Sequence, residues 1–387
     1  MRRHSIEPRA GWQDQAEAVG FTFHHMDGQL YWDERAWYGF TLQQVEEDIE
    51  AAAGELHAMC LALVEEAVGS EELMHDLAIP PSARDYVAQS WRAKAPSLYG
   101  RFDFAYDGAS PPKLYEYNAD TPTSVFEAAV FQWLWLEDQI AAGGLPEGAD
   151  QFNSLHDRLR DRWAVIGPKT GVLHFASDAH STEDRQTVRY LEDIAVQAGL
   201  KPKFVAVEAI GLDVDGRFVD ADDAVIEALF KLHPWEEMLR LPYAQHLAGS
   251  GARFYEPAWK SILSNKGILP LLWERYRGHP NLLPAYFGHD PRKDELGRSW
   301  VQKPLFSREG ANILLVEEGT KHPVLDQGYG GEGRILQALH PLPSFEGNYP
   351  VVGAWMVGDE PAGLGIREDV DRVTKNFSRF VPHAIVD

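Results

Sequence analysis

The chain has 387 residues, 44% of them hydrophobic and 11% aromatic, with 12 tryptophans. That length and apolar content imply a folded protein of two or three lobes and exclude a disordered one. With 36 basic against 59 acidic residues the formal charge is −23, a field that repels phosphate backbones and argues against nucleic acid as a partner; it suits a cationic substrate such as a polyamine, with an ordinary solvated surface the plainer explanation.

The first residues, MRRHSIEPRAGWQDQ, are basic but lack the apolar core of a signal peptide. No run of about 20 apolar residues offers a membrane span, so the expectation is a cytoplasmic protein without a membrane partner. Apolar residues at helical spacing through VEEDIEAAAGELHAMCLALVEEAV predict a long helix over Phe40–Val68. The sole cysteine, Cys60, lies in its apolar run AMCLALV. This excludes an intrachain disulfide and a cysteine-based zinc site, and it reads as packing rather than as a nucleophile. A second helix is predicted over Ser82–Lys94. GRFDFAYDG and KLYEYNAD then alternate with period two around DGASPP, the pattern of a β-hairpin. SVFEAAVFQWLWLEDQIAA follows as a helix, with Ser124 and Glu127 spaced as a capping box.

The middle of the chain is α/β in rhythm. TGVLHFA reads as a strand before a helix near Glu183–Ala198, and KFVAVEAI and VIEALFKL as further strand or short-helix material. The glycine-rich LAGSGARFYEP marks a lobe junction. From Trp259 onward come a helix at ILPLLWERY, the strand SWVQKPL, a glycine-containing loop, and a late hairpin, NYPVVGAWMVGD with PAGLGIRE, turning at Asp359-Glu360. The fold class is α+β in several lobes.

Two constellations carry chemistry. Alternate residues of a strand share a face. In RFDF, Arg101 and Asp103 share one; in LYEYNA, Glu116 and Asn118 share one with Leu114, while Tyr115 and Tyr117 point away. If the strands pair, Asp103, Glu116 and Asn118 converge. Two carboxylates and an amide oxygen suit Mg²⁺, which keeps several waters and substrate phosphates, and Arg101 suits a phosphate carried with it. A half-buried hairpin with a polar outer face explains the same alternation. The second constellation is a phosphate grip without a P-loop. SWVQKPLFSREGANI puts Lys303 at the end of an apolar strand, followed by Arg308 and Glu309-Gly310-Ala311-Asn312, and WKSILSNKGILPLLW puts Lys266 just before a helix. A lysine point charge, a planar arginine fork and a loosened backbone together hold a polyphosphate. Surface lysines flanking a hairpin are the plain alternative. GYGGEG, Gly328–Gly333, matches the dinucleotide fingerprint, but no clear strand precedes it, and Pro341 and Pro343 cut short any helix after it. Asn376-Phe377-Ser378 forms a glycosylation triplet that carries no weight in a chain without a signal peptide.

These stretches together make the chain recognisable. RFDF, YEYNADTPTS with FEAAVFQWLW, WKSILSNKGILPLLW, QKPLFSREGANI, RILQALHPLP, and YPVVGAWMVGDEPAGLGIRE with NFSRFVPH, in that order, resemble the synthetase part of the glutathionylspermidine synthase family over nearly the whole chain. The resemblance implies an ATP-grasp fold with a preceding α/β (pre-ATP-grasp) domain. It places a helical part loosely at 11–100, a substrate lobe with the metal hairpin at 101–255 and a nucleotide lobe at 256–387. It implies an ATP- and Mg²⁺-dependent carboxylate–amine ligase acting on small molecules, a glutathione- or peptide-type acid and a polyamine or other amine. It implies Asp103, Glu116 and Asn118 as magnesium ligands, and Arg101, Arg308 and Arg367 as catalytic cations. Lys266, Lys303, Gly310 and Asn312 would hold the nucleotide's phosphates, Gln337, Ala338 and Leu339 would meet adenine, and Thr121 and Thr123 would hold the acid substrate. The amidase domain of the bifunctional members has no counterpart here, so amide hydrolysis is not expected. Glu183-Asp184 and Glu236-Glu237 are further expectations, as carboxylates that attract the amine and take its proton; solvated helix faces are the alternative. A phosphotransferase and a non-catalytic nucleotide- or partner-binding protein remain the competing readings, and monomer and homodimer both stay open.

Overall fold

A computed structural model describes residues 1–26, 28–323, 326–375 and 378–386. Asn376 and Phe377 of the glycosylation triplet and of the NFSRFVPH block lie outside the described residues. Among the described residues no helix is long and apolar enough to cross a membrane.

The long N-terminal helix begins as a π-helical stretch, Gln44–Glu50, and continues as the α-helix Ala51–Ala67. Its apolar stripe, including fully buried Cys60, faces the core, and burial pushes the Cys60 thiol upward in pKa. The second helix is Arg84–Arg92, entered through a 3₁₀ turn.

The predicted hairpin forms: Tyr99–Ala105 pairs antiparallel with Lys113–Asn118. It does not stand alone. Tyr99–Ala105 also pairs with Tyr349–Val357 of the late hairpin, which continues through Glu360–Asp369 to Arg379–Val381, all antiparallel. Residues from opposite ends of the chain thus share one five-stranded sheet. In the hairpin Arg101 lies opposite Asn118 and Asp103 opposite Glu116, and the register then slips so that Phe104 faces Leu114. This bulge corrects the expected alternation. Leu114 turns into the core with Phe102, Phe104 and Tyr117, while Tyr115 joins Glu116 on the polar side. Bulges of this kind re-aim side chains beside functional sites.

The helix after the hairpin starts π-helical at Glu127–Phe131 and becomes α-helical over Gln132–Ala141. No capping box forms. Ser124 adopts φ 69°, and Glu127 instead accepts a hydrogen bond from the Tyr31 hydroxyl at 2.6 Å. The competing partner wins because Glu127 points into a packed wall, where an unpaired carboxyl is costly.

The middle of the chain builds a four-stranded parallel sheet ordered Arg253–Tyr255, Ala228–Lys231, Leu173–Ser177, Pro202–Ala206. The helix Thr182–Gln197 packs on it, capped by Ser181, whose Oγ accepts from the Asp184 backbone N–H at 3.2 Å. LAGSG leads into the last strand of this sheet. The chain winds outward in both directions from the neighbouring strands Leu173–Ser177 and Ala228–Lys231. Such a reversal of strand order opens a crevice beyond the strands' carboxyl ends. A third sheet, antiparallel, runs Ala285–Phe287, Arg334–Ala338, Trp300–Pro304, Leu314–Glu317, Thr320–Pro323. GYGGEG lies in the loop before Arg334–Ala338, where it opens a strand rather than a helix.

Candidate active site

The three sheets bring their polar edges to one place. On the hairpin, Asp103 is held from two sides. Arg101 donates from Nε to its Oδ1 at 2.7 Å, and Arg367, from the late hairpin, donates to its Oδ2 at 2.8 Å. Asn118 donates through its amide to Asp103 Oδ2 and to Glu116 Oε1, each at 3.1 Å. Glu116 Oε2 is 3.1 Å from Lys266 Nζ. Burial works against the Glu116 carboxylate, but Lys266, Lys303 and Asn118 outweigh it and hold its pKa well below the usual range. Asp103, Glu116 and Asn118 therefore converge, with the Glu116 carboxylate held in its charged form. Among the described residues no group of three or more His, Cys, Asp or Glu side chains is placed to hold a metal. The donor set is two carboxylates plus one amide, which fits a hard ion that retains water and phosphate oxygens rather than a fully caged one.

Lys303 enters from the third sheet. Its Nζ donates to Tyr115 O and to Gln337 Oε1, each at 2.8 Å. Burial pushes its pKa down to about 8, against the pull of Glu116. Lys303 and Lys266 line a cleft of about 960 Å³ with Asp103, Tyr115, Gly310, Gln337, Ala338 and Leu339. One flank is apolar, formed by Val301, Ile313, Leu315, Leu342 and Val351. An apolar slot with charges at one end can take a flat apolar group that carries an anionic tail.

A second chamber, of about 1290 Å³, adjoins it along the same polar face of the hairpin, toward the crevice of the parallel sheet. It collects Arg101, Arg308, Thr121 and Thr123 together with Glu183, Asp184 and Glu236. Arg308 donates to Thr121 Oγ1 at 2.9 Å and approaches Glu236 at 3.5 Å. The carboxylates are strained toward neutrality: burial raises Glu183 and Glu236, and burial with the neighbouring Glu183 charge raises Asp184 to about 6. Cleft and chamber share Glu116, Lys266, Ser307, Glu309 and Arg367 as walls, so they open onto each other at the hairpin.

Most predicted residues meet here, but not all in the expected place. Asn312 lines neither space. Its side chain donates to Asp326 at 2.5 Å and accepts from the backbone N–H groups of Gln327 and Tyr329, tying two loops together. Arg308 lines the second chamber rather than the apolar-flanked cleft. Of the pair Glu236-Glu237, Glu236 faces the chamber while the Glu237 side chain is 58% exposed. The Gln337 side chain is engaged with Lys303 and with Leu114 O. Tyr31, Tyr115 and Glu309 were not foreseen. Tyr115 needed the bulge to reach the cleft, and Tyr31 lies in an N-terminal segment with no pattern pointing to a site.

A cleft of this shape beside an acidic chamber, on three sheets in this arrangement, defines an ATP-grasp ligase fold. The chain belongs to the glutathionylspermidine synthase family: the family described as glutathionylspermidine synthase preATP-grasp matches residues 3–386. A Haemophilus influenzae protein with the printed name "Putative acid--amine ligase" is 42% identical over 386 residues, covering 95% of each chain. Trypanothione synthetase of Crithidia fasciculata is 29% identical over 353 residues, 84% of this chain and 53% of that protein. The bifunctional glutathionylspermidine synthetase/amidase of Escherichia coli is 26% identical over 409 residues, 97% of this chain and 63% of that protein. The chain thus spans nearly all of the first relative and a little over half of the longer ones. Among solved structures, a glutathione synthetase-like effector from Globodera pallida matches with a TM-score of 0.57 at 11% identity, over 97% of this chain and 95% of that one. That likeness bears on the fold alone.

Proposed function

We propose that this enzyme is a Mg²⁺- and ATP-dependent carboxylate–amine ligase that works through an acyl phosphate. The observation that carries this is the shared wall: an apolar-flanked cleft and a carboxylate-rich chamber meet at Glu116, Lys266 and Arg367, beside Asp103. A carboxylate resists attack because its leaving group would be oxide; phosphorylation supplies a better one. Phosphoryl transfer asks a protein mainly for positioning and charge neutralisation.

In this reading Lys266 and Lys303 hold the nucleotide's phosphates, and Ala338 and Leu339 border the base. Asp103, Glu116 and, with its amide turned, Asn118 would hold Mg²⁺, which offsets phosphate charge and aligns the transferred group. Arg101 and Arg367, both on Asp103, release part of their charge to the acid and to the phosphoryl oxygens. Thr121 and Thr123 offer hydroxyls to the acid, and Arg308 on Thr121 closes the chamber over it. Glu183, Asp184 and Glu236 attract a cationic amine. The relatives' names make a glutathione- or peptide-type acid and a polyamine or other amine the first substrates to try.

The test incubates the protein with ATP, Mg²⁺ and a panel of such acids and amines, reading ADP and product mass. The expected result is ADP release that requires both partners, with an amide product. Phosphorylated acid accumulating without amine would replace the ligase with a phosphotransferase. No turnover with any pair would favour a non-catalytic nucleotide-binding protein.

A further inference from the structure

Amide formation leaves one proton to be placed, because an amine arrives at neutral pH as an ammonium. The carboxylates named above lie along the chamber, but Thr123 bonds Glu183, and Arg308 and Ser181 offset the charge of Asp184. Another pair stands at the chamber wall beside Ser124 and Arg101. Tyr31 lines the chamber together with Ser124. Its hydroxyl donates to Glu127 Oε1 at 2.6 Å and lies 3.3 Å from Ser124 Oγ. Ser124 directly follows Thr123, whose carbonyl accepts from Arg101 at 2.8 Å. Tyr31 is also close enough to Arg101 for their charges to couple. Tyr31 is 3% exposed and Glu127 0%. The second carboxyl oxygen of Glu127, Oε2, is buried with no hydrogen-bond partner. A buried carboxyl with one oxygen unsatisfied is a costly feature that calls for an explanation. It sits in the π-helical turn Glu127–Phe131, a distortion common at functional sites.

We infer that Tyr31 and Glu127 form the relay that removes the amine's proton, Tyr31 as the group that touches the amine and Glu127 as the final acceptor. The inference rests on the ligase reading above. The ammonium first passes one proton to Tyr31 Oη while the Tyr31 proton moves to Glu127 Oε1, which frees the nitrogen lone pair. The amine then adds to the acyl carbon, the C–N bond forms, the C–O bond to phosphate breaks, and the phosphate leaves with the electron pair and takes up the nitrogen's second proton. Tyr31 ends as a phenol and Glu127 as a neutral carboxyl, which later returns its proton to solvent. The groups facing Glu127 support this: Tyr31 by hydrogen bonding, Glu183 on the helix Thr182–Gln197 by repulsion, and Arg101 by attraction. Burial, with Glu183, raises the Glu127 carboxyl to about 7, matched to neutral catalysis.

The experiment compares two nucleophiles in wild type, Tyr31→Phe and Glu127→Gln, with glutathione as the acid. Hydroxylamine is unprotonated at neutral pH, traps an acyl phosphate as hydroxamate and needs no acceptor; spermidine is protonated and does. Both variants are expected to lose on the order of 10² in spermidine-dependent ADP release while hydroxamate formation changes by less than about threefold. Undiminished spermidine turnover in Tyr31→Phe would overturn the relay. An equal loss with both nucleophiles would assign the pair a structural part and overturn it too. If the wild type makes no hydroxamate with glutathione or with any other acid of the panel, the ligase reading fails first and the relay falls with it.

Discussion

Glu127 shows at one residue how burial sets chemistry. Its carboxyl titrates near 7 in the folded chain against 4.5 for an ordinary glutamate. A raised folded pKa contributes stability that is complete below about pH 4.5 and is lost as the pH rises through about 7. Glu127→Gln removes that term, so the variant should gain on the wild type between pH 5 and pH 8, by at most about 3 kcal/mol. Urea unfolding at both pH values reads the difference; a constant offset would contradict the burial argument. Glu116 makes the opposite case, a half-buried carboxylate kept charged by Lys266 and Lys303. Lys266→Met should weaken Mg-ATP binding by about tenfold or more, since it removes a charge that cleft and chamber share. A nucleotide titration measures it.

The hairpin and the loop after Lys303 carry the site at the scale of elements. The alternation in RFDF and LYEYNA was enough to place Asp103, Glu116 and Asn118 together, because a strand's period leaves little choice. The bulge at Tyr115 was not legible, since a one-residue slip depends on the partner strand rather than on local pattern. The capping box at Ser124 failed for a similar reason: a distant residue, Tyr31, took Glu127. In the loop, Gly310 sits at φ 71°, and a Cβ there would lie 2.7 Å from Thr374 O and 2.8 Å from Val373 Cγ1. Gly310→Ala should therefore push the loop off its seat over the cleft. The ATP concentration for half-saturation should rise at least about fivefold, while global stability changes by about 1 kcal/mol. Unchanged ATP dependence would remove the loop from the nucleotide site.

Across the whole molecule, the three sheets share one apolar core, and buried polar contacts also run between them. Asp120, at the end of the hairpin, pairs with Lys231 on the parallel sheet, both 1% exposed, and also accepts the Trp235 backbone N–H at 2.8 Å. Lys231→Met leaves Asp120 charged and unpaired, and should destabilise the fold by about 3–5 kcal/mol. Adding Asp120→Asn should recover part of that loss; a strictly additive double variant would show that the two charges are not coupled across the sheets. The succession of strands and helices could be read from hydrophobic period and turn residues. That Tyr99–Ala105 would pair with Tyr349–Val357, far along the chain, could not, because period says which face is buried and not which strand lies alongside. The family's ordered blocks carried what local pattern lacked.

The reading stands or falls first on the nucleotide site at the hairpin. The most direct measurement is thermal melting with and without Mg-ATP, on the wild type and on Glu116→Ala. A ligand bound only by the folded chain stabilises it by about 2.7 kcal/mol at a hundredfold excess over its dissociation constant. The prediction is a shift that needs magnesium and that Glu116→Ala abolishes. No shift in the wild type, or an equal shift in the variant, would contradict the placement of Mg-ATP at Asp103, Glu116 and Asn118.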